Sequence, residues 1–198
     1  ADLATDFWRK AKQVVESQEY KNIFPDFELA KDKREWGNWE TNLWWWIYTV
    51  WVLGALTWKW FDIWIIDDPV KDAKEANSQT VRDSVWDWYT STFYTRLSPK
   101  SGILLGMTRW HEDDLAGRLL NEMQNGGDQW RVVSFPAIAE QDEENRLEGE
   151  ALHPERYDLT HLSKIRKAVG TQTWNALYQQ RPSSKGGDII KGKWFKRY

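Results

Sequence analysis

The spacing of apolar residues predicts that strands and helices alternate along most of the chain. Apolar residues recur at helical spacing between positions 4 and 20, whereas the apolar stretches 61–66 and 103–107 are continuous. Continuous stretches are typical of strands covered on both faces, as in a parallel sheet. The other predicted elements are strands at 43–53 and 130–138 and helices at 74–97, 112–123, 162–169 and 171–180. This succession predicts an α/β fold, with parallel neighbouring strands and flanking helices.

Three segments are predicted to lie outside these elements. Residues 98–102 have the Ser, Pro and Gly content of a turn. Residues 140–158 carry eight acidic and two basic side chains, which is typical of a solvated loop. Residues 181–198 carry six basic side chains and one acidic one, interleaved with aromatic residues. Such a segment suits either contact with a phosphate backbone or a role as the linker to a further domain.

Composition narrows the class of protein. The chain has 198 residues, a formal net charge of −3 and no cysteine. The net charge argues against a uniformly basic nucleic-acid coat. The lack of cysteine excludes a disulfide scaffold and any site that needs a thiolate. No charge-free run of 18 apolar residues occurs, so no membrane-spanning helix is predicted. Sixteen residues are Trp, and ten of these lie in residues 1–64 beside only two glycines.

The strand predicted at 61–66 ends in two adjacent carboxylates, Asp67 and Asp68, followed by Pro69. In a parallel sheet, the carboxyl ends of the strands form the crevice in which ligands bind. Successive side chains of a strand diverge, so the two acids would have different roles. One suits a Mg²⁺ ion, and the other suits the orientation of a water molecule that attacks a γ-phosphate. The alternative is an Asp-Asp-Pro turn that caps the next helix.

The next predicted strand also ends in polar residues, Thr108 and Arg109. A Thr at this place can sense a γ-phosphate, and an Arg can contact phosphate or transmit its loss. The alternative is a helix N-cap followed by a surface arginine. No G-x-x-x-x-G-K-[ST] phosphate-binding sequence occurs in the chain. The protein is therefore either no ATPase or one part of an ATPase.

Residues 111–114, with the sequence His-Glu-Asp-Asp, offer ligands for a metal ion. Acidic residues are also favoured in the first turn of a helix by its dipole, which gives the same residues a structural explanation. A metal nuclease built on Asp67, Asp68, His111 and Asp113 is therefore one of the hypotheses.

Taken together, the motifs resemble the large subunit of tailed-phage terminases, in order and spacing over most of the chain. The segments that carry the resemblance are DDPVKD (67–72), EANS (75–78), Trp86, YTST (89–92), GMTRWHEDDLAGRL (106–119) and YQQRP (178–182). Terminase large subunits are ATP-driven motors that pump phage DNA into an empty capsid. They have an N-terminal ATPase domain and a C-terminal nuclease domain. The resemblance implies an incomplete P-loop-NTPase-like (ASCE) parallel sheet, a helical C-terminal segment and a linker.

The resemblance also implies site residues, cofactors and partners. Asp67 corresponds to the Mg²⁺-binding acid of the family, and Asp68 to its catalytic carboxylate. Thr108 lies in the motif that couples hydrolysis to DNA movement, and Arg109 completes the expected catalytic set. The implied cofactors are ATP and Mg²⁺. The implied partners are double-stranded DNA, the portal protein, the small terminase subunit and further copies of the subunit in a ring, with no membrane, in the host cytoplasm.

Residues 1–180 correspond to the later part of the ATPase domain, and residues 181–198 to the linker toward a nuclease domain. The phosphate-binding loop is expected before residue 1, so the isolated chain is expected to be inactive. The alternative function is a non-catalytic module that binds nucleic acid or protein through its basic segment and exposed Trp side chains.

The Trp-rich zone departs from the family pattern, which tends to have glycine there. The Trp residues concerned are Trp44, Trp45, Trp46, Trp51, Trp58, Trp60 and Trp64. Glycine permits a positive φ and a close approach of the backbone, and Trp permits neither. We therefore expect residues 43–64 to expose an unusual aromatic surface.

Overall fold

The computed structural model describes residues 2–30, 38–42, 46–48, 50–56 and 60–183. The chain divides into two compact units, residues 1–59 and residues 60–198. The elements of the first unit are α1 (Asp2–Glu16), α2 (Gln18–Ile23), β1 (Asn38–Glu40) and β2 (Trp46–Tyr48). Those of the second are β3 (Phe61–Asp67), α3 (Ala73–Asn77), α4 (Gln79–Trp88), a π-helical turn (Tyr89–Phe93), a 3-10 turn (Tyr94–Arg96), β4 (Leu97–Gly106), α5 (Leu115–Gln124), α6 (Leu159–Thr173) and a second π-helical turn (Trp174–Tyr178).

The described residues of the first unit form two helices and two short antiparallel strands. The helix predicted at 4–20 is interrupted at Ser17, because the Ser17 hydroxyl accepts a hydrogen bond from the Tyr20 N–H at 3.2 Å and caps α2. The strand predicted at 43–53 is wrong in its extent. Among the described residues of this stretch, β2 alone is a strand, and Leu53 has a φ of 70°, which lies outside the β region. Residues 43–45 and 49 lie outside the described residues.

The second unit is built on a parallel pair of strands, β3 and β4. Residues 63–67 face residues 102–106 in register, which confirms that the two continuous apolar stretches are parallel neighbours. Earlier in the pair the register slips, since Phe61 faces Leu97 although Ile63 already faces Gly102. The turn predicted at 98–102 is therefore wrong. Its residues form a bulged part of β4, where a proline is tolerated without a ladder hydrogen bond.

One face of the strand pair packs on an aromatic core. The Trp64 and Phe93 ring centroids lie 4.3 Å apart, and Tyr89 stacks on Phe93 at 5.4 Å. The helix predicted at 74–97 is not continuous. It is divided into α3, α4, the π-helical turn and the 3-10 turn, and this division accompanies the aromatic core. Ser78 caps the start of α4, and the π-helical turn buries both Tyr89 and Phe93.

The opposite face of the strand pair is open. Ile63, Ile65 and Leu104 are 72%, 68% and 61% exposed. Strands of a parallel sheet are normally covered on both faces. The mixture of helices with a parallel strand pair is consistent with the predicted α/β fold, but the parallel sheet of the described residues has only two strands.

The aromatic surface expected at 43–64 is present only in part. Trp51 and Trp60 expose more than half of their surface, whereas Trp64 is buried. The expectation is wrong for Trp64, because residues of β3 alternate between the two faces and Trp64 lies on the face of the aromatic core. Trp44, Trp45 and Trp58, and the side chain of Trp46, lie outside the described residues.

The strand predicted at 130–138 is not formed, because glutamine side chains take the place of a neighbouring strand. The Gln179 side chain accepts the Ile138 N–H and donates to the Ile138 carbonyl, both at 3.0 Å. The next glutamine repeats this pattern, since Gln180 Oε1 accepts the Phe135 N–H at 3.0 Å. We call these two residues the glutamine clamp. It satisfies backbone groups that a β-ladder would otherwise satisfy.

The C-terminal helices agree with the prediction of two helices around residue 170. Gly170 has a φ of 79° and a ψ of 166°, which breaks the helical path inside α6. Trp174 is buried against Leu162 and Ala151. Residues 140–158, all of them described, contain no helix or strand, as expected for a solvated loop. Within the described part of the chain, no helix is both long and apolar enough to cross a membrane.

Replacing Gln179 by Ala should lower the free energy of unfolding by about 2 kcal/mol, since both backbone groups of Ile138 lose their partner. Urea unfolding followed by circular dichroism measures the loss. Gln172→Ala, at an exposed position of α6, is the matched control and should change stability by less than about 0.5 kcal/mol. Equal losses in both variants would contradict the role of the clamp.

Candidate functional site

The parallel register brings the two predicted polar strand ends to one edge of the sheet. Asp67 faces Gly106 in the ladder, and the Asp68 N–H donates to the Gly106 carbonyl at 2.9 Å. One step further, Asp68 Oδ1 accepts the backbone N–H of Thr108 at 2.8 Å. The aspartate pair and Thr108 are therefore neighbours in space although 40 residues separate Asp68 from Thr108.

Asp68 adopts an unusual backbone conformation at this edge. Its φ is 39°, in the left-handed region that costs a non-glycine residue about 1–2 kcal/mol. Two hydrogen bonds hold it there, one from its own N–H and one to its carboxylate. The turn directs the carboxylate toward Thr108 rather than toward the helix that follows, where Asp72 is the N-cap of α3. The capping alternative for Asp68 therefore finds no support in this geometry.

Asp67 has the properties required of a ligand for a hard cation. Its side chain is exposed at the end of β3, and no donor among the described residues bonds to its carboxylate. A carboxylate without a protein partner can bind Mg²⁺, which takes one or two carboxylates and otherwise keeps water and phosphate ligands. The residues present thus fit the metal that the sequence predicts at this position.

Arg109 is engaged with the protein itself. Its Nε donates to Asp114 Oδ2 at 2.8 Å, and the two side chains are only 18% and 2% exposed. Asp114 is also the N-cap of α5, because its Oδ1 accepts the Gly117 N–H at 2.8 Å. Helix α5 consequently starts at Leu115. The apolar spacing predicts a start at residue 112, which is wrong.

The His-Glu-Asp-Asp segment forms ion pairs and a helix cap. Asp113 bonds to Arg82 at 3.1 Å and to Arg118 at 2.8 Å, and His111 Nδ1 accepts the Asp113 N–H at 3.0 Å. In the described residues, no group of three or more His, Asp or Glu side chains could hold a metal ion. The nuclease hypothesis is thus contradicted, since Asp113 neutralises two arginines and His111 faces its own backbone.

Residues 54–197 match the family model described as terminase large subunit, T4likevirus-type, N-terminal. The chain belongs to the terminase large subunit family. The match covers well over half of the 198 residues and confirms the resemblance seen in the motifs. It indicates a role in phage DNA packaging. A search of curated proteins found no significant match to the terminase chain.

The sequence patterns did not predict a cluster of arginines in the terminase chain. This cluster holds the loop after β4 in place. Arg82 is buried in α4, where its Nη1 donates to the Ala76 carbonyl at 2.7 Å and its Nε to Asp113. Arg118 of α5 bridges Asp113 and Asp83, the latter at 2.6 Å. The only sequence signal was that Asp83 and Asp113 each lie within a few positions of an arginine. Such proximity in sequence does not reveal pairing across different helices.

The arginine cluster changes the pKa of Asp113. Its hydrogen bond with Arg118, supported by Arg82, lowers the pKa of Asp113 to about 2. For Asp114 the balance is opposite, because burial raises the pKa of its carboxyl more than Arg109 lowers it. Burial also lowers the pKa of His111, together with the nearby charge of Arg82.

Gly117 lies in α5 where the backbone passes close to Glu112. A Cβ atom at this position would lie 1.8 Å from the Glu112 carbonyl oxygen. Gly117→Ala should therefore lower the free energy of unfolding by about 1–3 kcal/mol, as is typical of overpacking. Gly102→Ala is the control, because a Cβ there meets nothing within 4 Å. Equal unfolding midpoints in urea for these two variants would contradict the close approach.

The Asp113 ion pairs should stabilise the terminase chain in a pH-dependent way. The folded pKa of about 2 is below the ordinary value near 3.9, so this contribution is complete above about pH 4 and disappears as the pH falls toward 2. The difference in urea midpoint between the wild-type chain and Asp113→Asn should shrink over that range. Because the Asp113 side chain is 39% exposed, 1 M salt should also reduce this difference. A difference independent of pH would disprove the ion-pair explanation.

Proposed function

We propose that the chain is part of the ATP-hydrolysing motor of a terminase large subunit. It carries the acid strand, which ends in Asp67 and Asp68, and the motif around Thr108 that couples hydrolysis to DNA movement. The observation that carries this proposal is the hydrogen bond from the Thr108 N–H to the Asp68 carboxylate at the edge of a parallel sheet. This edge is where ligands bind in open α/β sheets.

The four site residues divide the chemistry as follows. Asp67 would hold Mg²⁺, which when bound neutralises charge on the phosphate groups of ATP. The Asp68 carboxylate orients the attacking water and accepts its proton, with Oδ1 held by the Thr108 N–H. Thr108 is bonded to Asp68 directly, so a change in the charge or position of the carboxylate reaches the end of β4. Arg109 follows Thr108 in sequence and forms an ion pair with Asp114.

The open face of the sheet supports the proposal that more chain completes the ATPase domain. Ile63, Ile65 and Leu104 leave an apolar face of β3–β4 uncovered, whereas a parallel sheet buries both faces. We propose that chain outside residues 1–198 covers this face and also supplies the phosphate-binding loop. We further propose that the isolated chain is inactive and that residues 181–198 are a linker.

The partners proposed for the complete motor are those that DNA packaging requires. They are double-stranded DNA, the portal protein, the small terminase subunit and further copies of the large subunit in a ring. The proposed place of action is the host cytoplasm. The family match supports these partners in general terms.

Asp68→Asn in a terminase subunit that includes an upstream phosphate-binding loop should lower the ATPase rate by at least about 100-fold while nucleotide binding stays within a few-fold. The matched control is Asp62→Asn, which removes an exposed acid from the same strand. Phosphate release measures turnover, and fluorescence of a bound nucleotide analogue measures binding.

Unimpaired hydrolysis in Asp68→Asn would refute the catalytic role. Hydrolysis lost equally in Asp62→Asn would attribute the effect to damage of the strand. If the subunit bound DNA or protein but neither bound nor hydrolysed ATP, the non-catalytic binding module would be the better description.

A further inference from the structure

Arg109 and Asp114 form the most buried ion pair among the described residues. The carboxylate is 2% exposed and the guanidinium 18% exposed, and Nε lies 2.8 Å from Oδ2. A buried ion pair of this kind is seldom a net source of stability, because both charges lose their hydration. A role in fixing one conformation of the chain would explain such a pair.

The ion pair closes a short loop between the end of β4 and the start of α5. Asp114 is fixed at the helix by its bond with the Gly117 N–H, and its own N–H donates to the His111 carbonyl at 3.2 Å. The absence of a side chain at Gly117 leaves room for this loop, since a Cβ there would also lie 3.3 Å from Arg109 Nη2. Both ends of the loop are therefore held, one by the ladder with β3 and the other by α5.

Thr108 lies between the last ladder residue of β4 and Arg109. Its N–H must point toward β3 to reach Asp68, and the direction of that N–H depends on the backbone on both sides of it. The Asp67–Gly106 pair fixes the preceding backbone, and the Arg109 side chain fixes the following one.

We propose that the Arg109–Asp114 ion pair is a positioning device that holds the Thr108 N–H on the Asp68 carboxylate. Arg109 thus acts through the protein and not by contact with phosphate. The importance of this device for hydrolysis rests on the proposed function, but the positioning itself does not. The contrasting explanation is that Asp114 only caps α5 and that the strand end alone orients Thr108.

Two substitutions separate positioning from capping. Asp114→Ser keeps an N-cap hydroxyl for the Gly117 N–H and removes the charge that binds Arg109. Arg109→Gln removes the cation and leaves the cap untouched. The matched control is Asp158→Ser, because Asp158 caps α6 through the His161 N–H at 2.7 Å and has no ion pair of its own among the described residues.

The experiment follows backbone amides of the 198-residue chain by NMR, without nucleotide. Arg109→Gln and Asp114→Ser should each raise the hydrogen-exchange rate of the Thr108 amide by about tenfold or more, while the Gly117 amide stays protected. Asp158→Ser should leave the Thr108 amide unchanged. Arg109→Lys, which keeps the charge, should restore part of the protection.

A spectroscopic signature distinguishes positioning from general loosening. Asp68→Asn should shift the Thr108 amide resonance in the wild-type chain, because the acceptor of its hydrogen bond changes. In the Arg109→Gln background the same Asp68→Asn change should shift that resonance much less.

Unchanged protection of Thr108 and an undiminished Asp68→Asn shift in folded Arg109→Gln would overturn the proposal. If Asp114→Ser fails to fold, the two Arg109 variants decide, since Arg109 is not part of the helix cap. Failure of the proposed function would appear separately, as ATP turnover that persists in Asp68→Asn.

Discussion

The parallel pairing of β3 with β4 is the constraint on which the candidate site depends. Asp68 and Thr108 are 40 residues apart in sequence, and they meet because Asp67 faces Gly106 in the ladder. A slip of one residue would turn the apolar residues of one strand from the core to the solvent face. The same register that buries Trp64 and Ile66 therefore also delivers the carboxylate to the amide.

Ion pairs hold the loop after β4 in place. Arg82 and Arg118 pair with Asp113, and Arg109 pairs with Asp114. The Arg82–Asp113 pair links α4 to this loop, and the Arg118–Asp83 pair links α5 to α4. Desolvation makes such clusters costly, and they are favourable only when each hydrogen-bonding group has a partner. Two of the arginines have further partners, since Arg82 is also bonded to the Ala76 carbonyl and Arg118 to Asp83.

The aromatic core under the strand pair contains polar groups without hydrogen bonds in the described part of the chain. Trp64 Nε1 and the Tyr89 hydroxyl are buried, and the described residues provide no partner for either. An unsatisfied buried group of this kind costs about 1–3 kcal/mol. Burial also raises the pKa of the Tyr89 hydroxyl. At Trp64, the burial of a large apolar surface is accompanied by an indole N–H that has no partner among the described residues.

The sequence by itself determined the features that depend on neighbouring residues. The acid strand, the polar end of β4 and the two C-terminal helices could be predicted because apolar spacing and terminal residue types act within a few positions. The family motifs were also readable in this way. Only the tertiary structure decided the engagement of Arg109 with Asp114, the arginine pairs of Asp113 and the glutamine clamp at Ile138. For these same residues, local patterns alone suggest a phosphate contact for Arg109, a metal site at Asp113 and a β-strand through Ile138. The physical reason is that a charged or amide side chain takes the partner that folding brings within about 3 Å, and no local pattern encodes which partner that is.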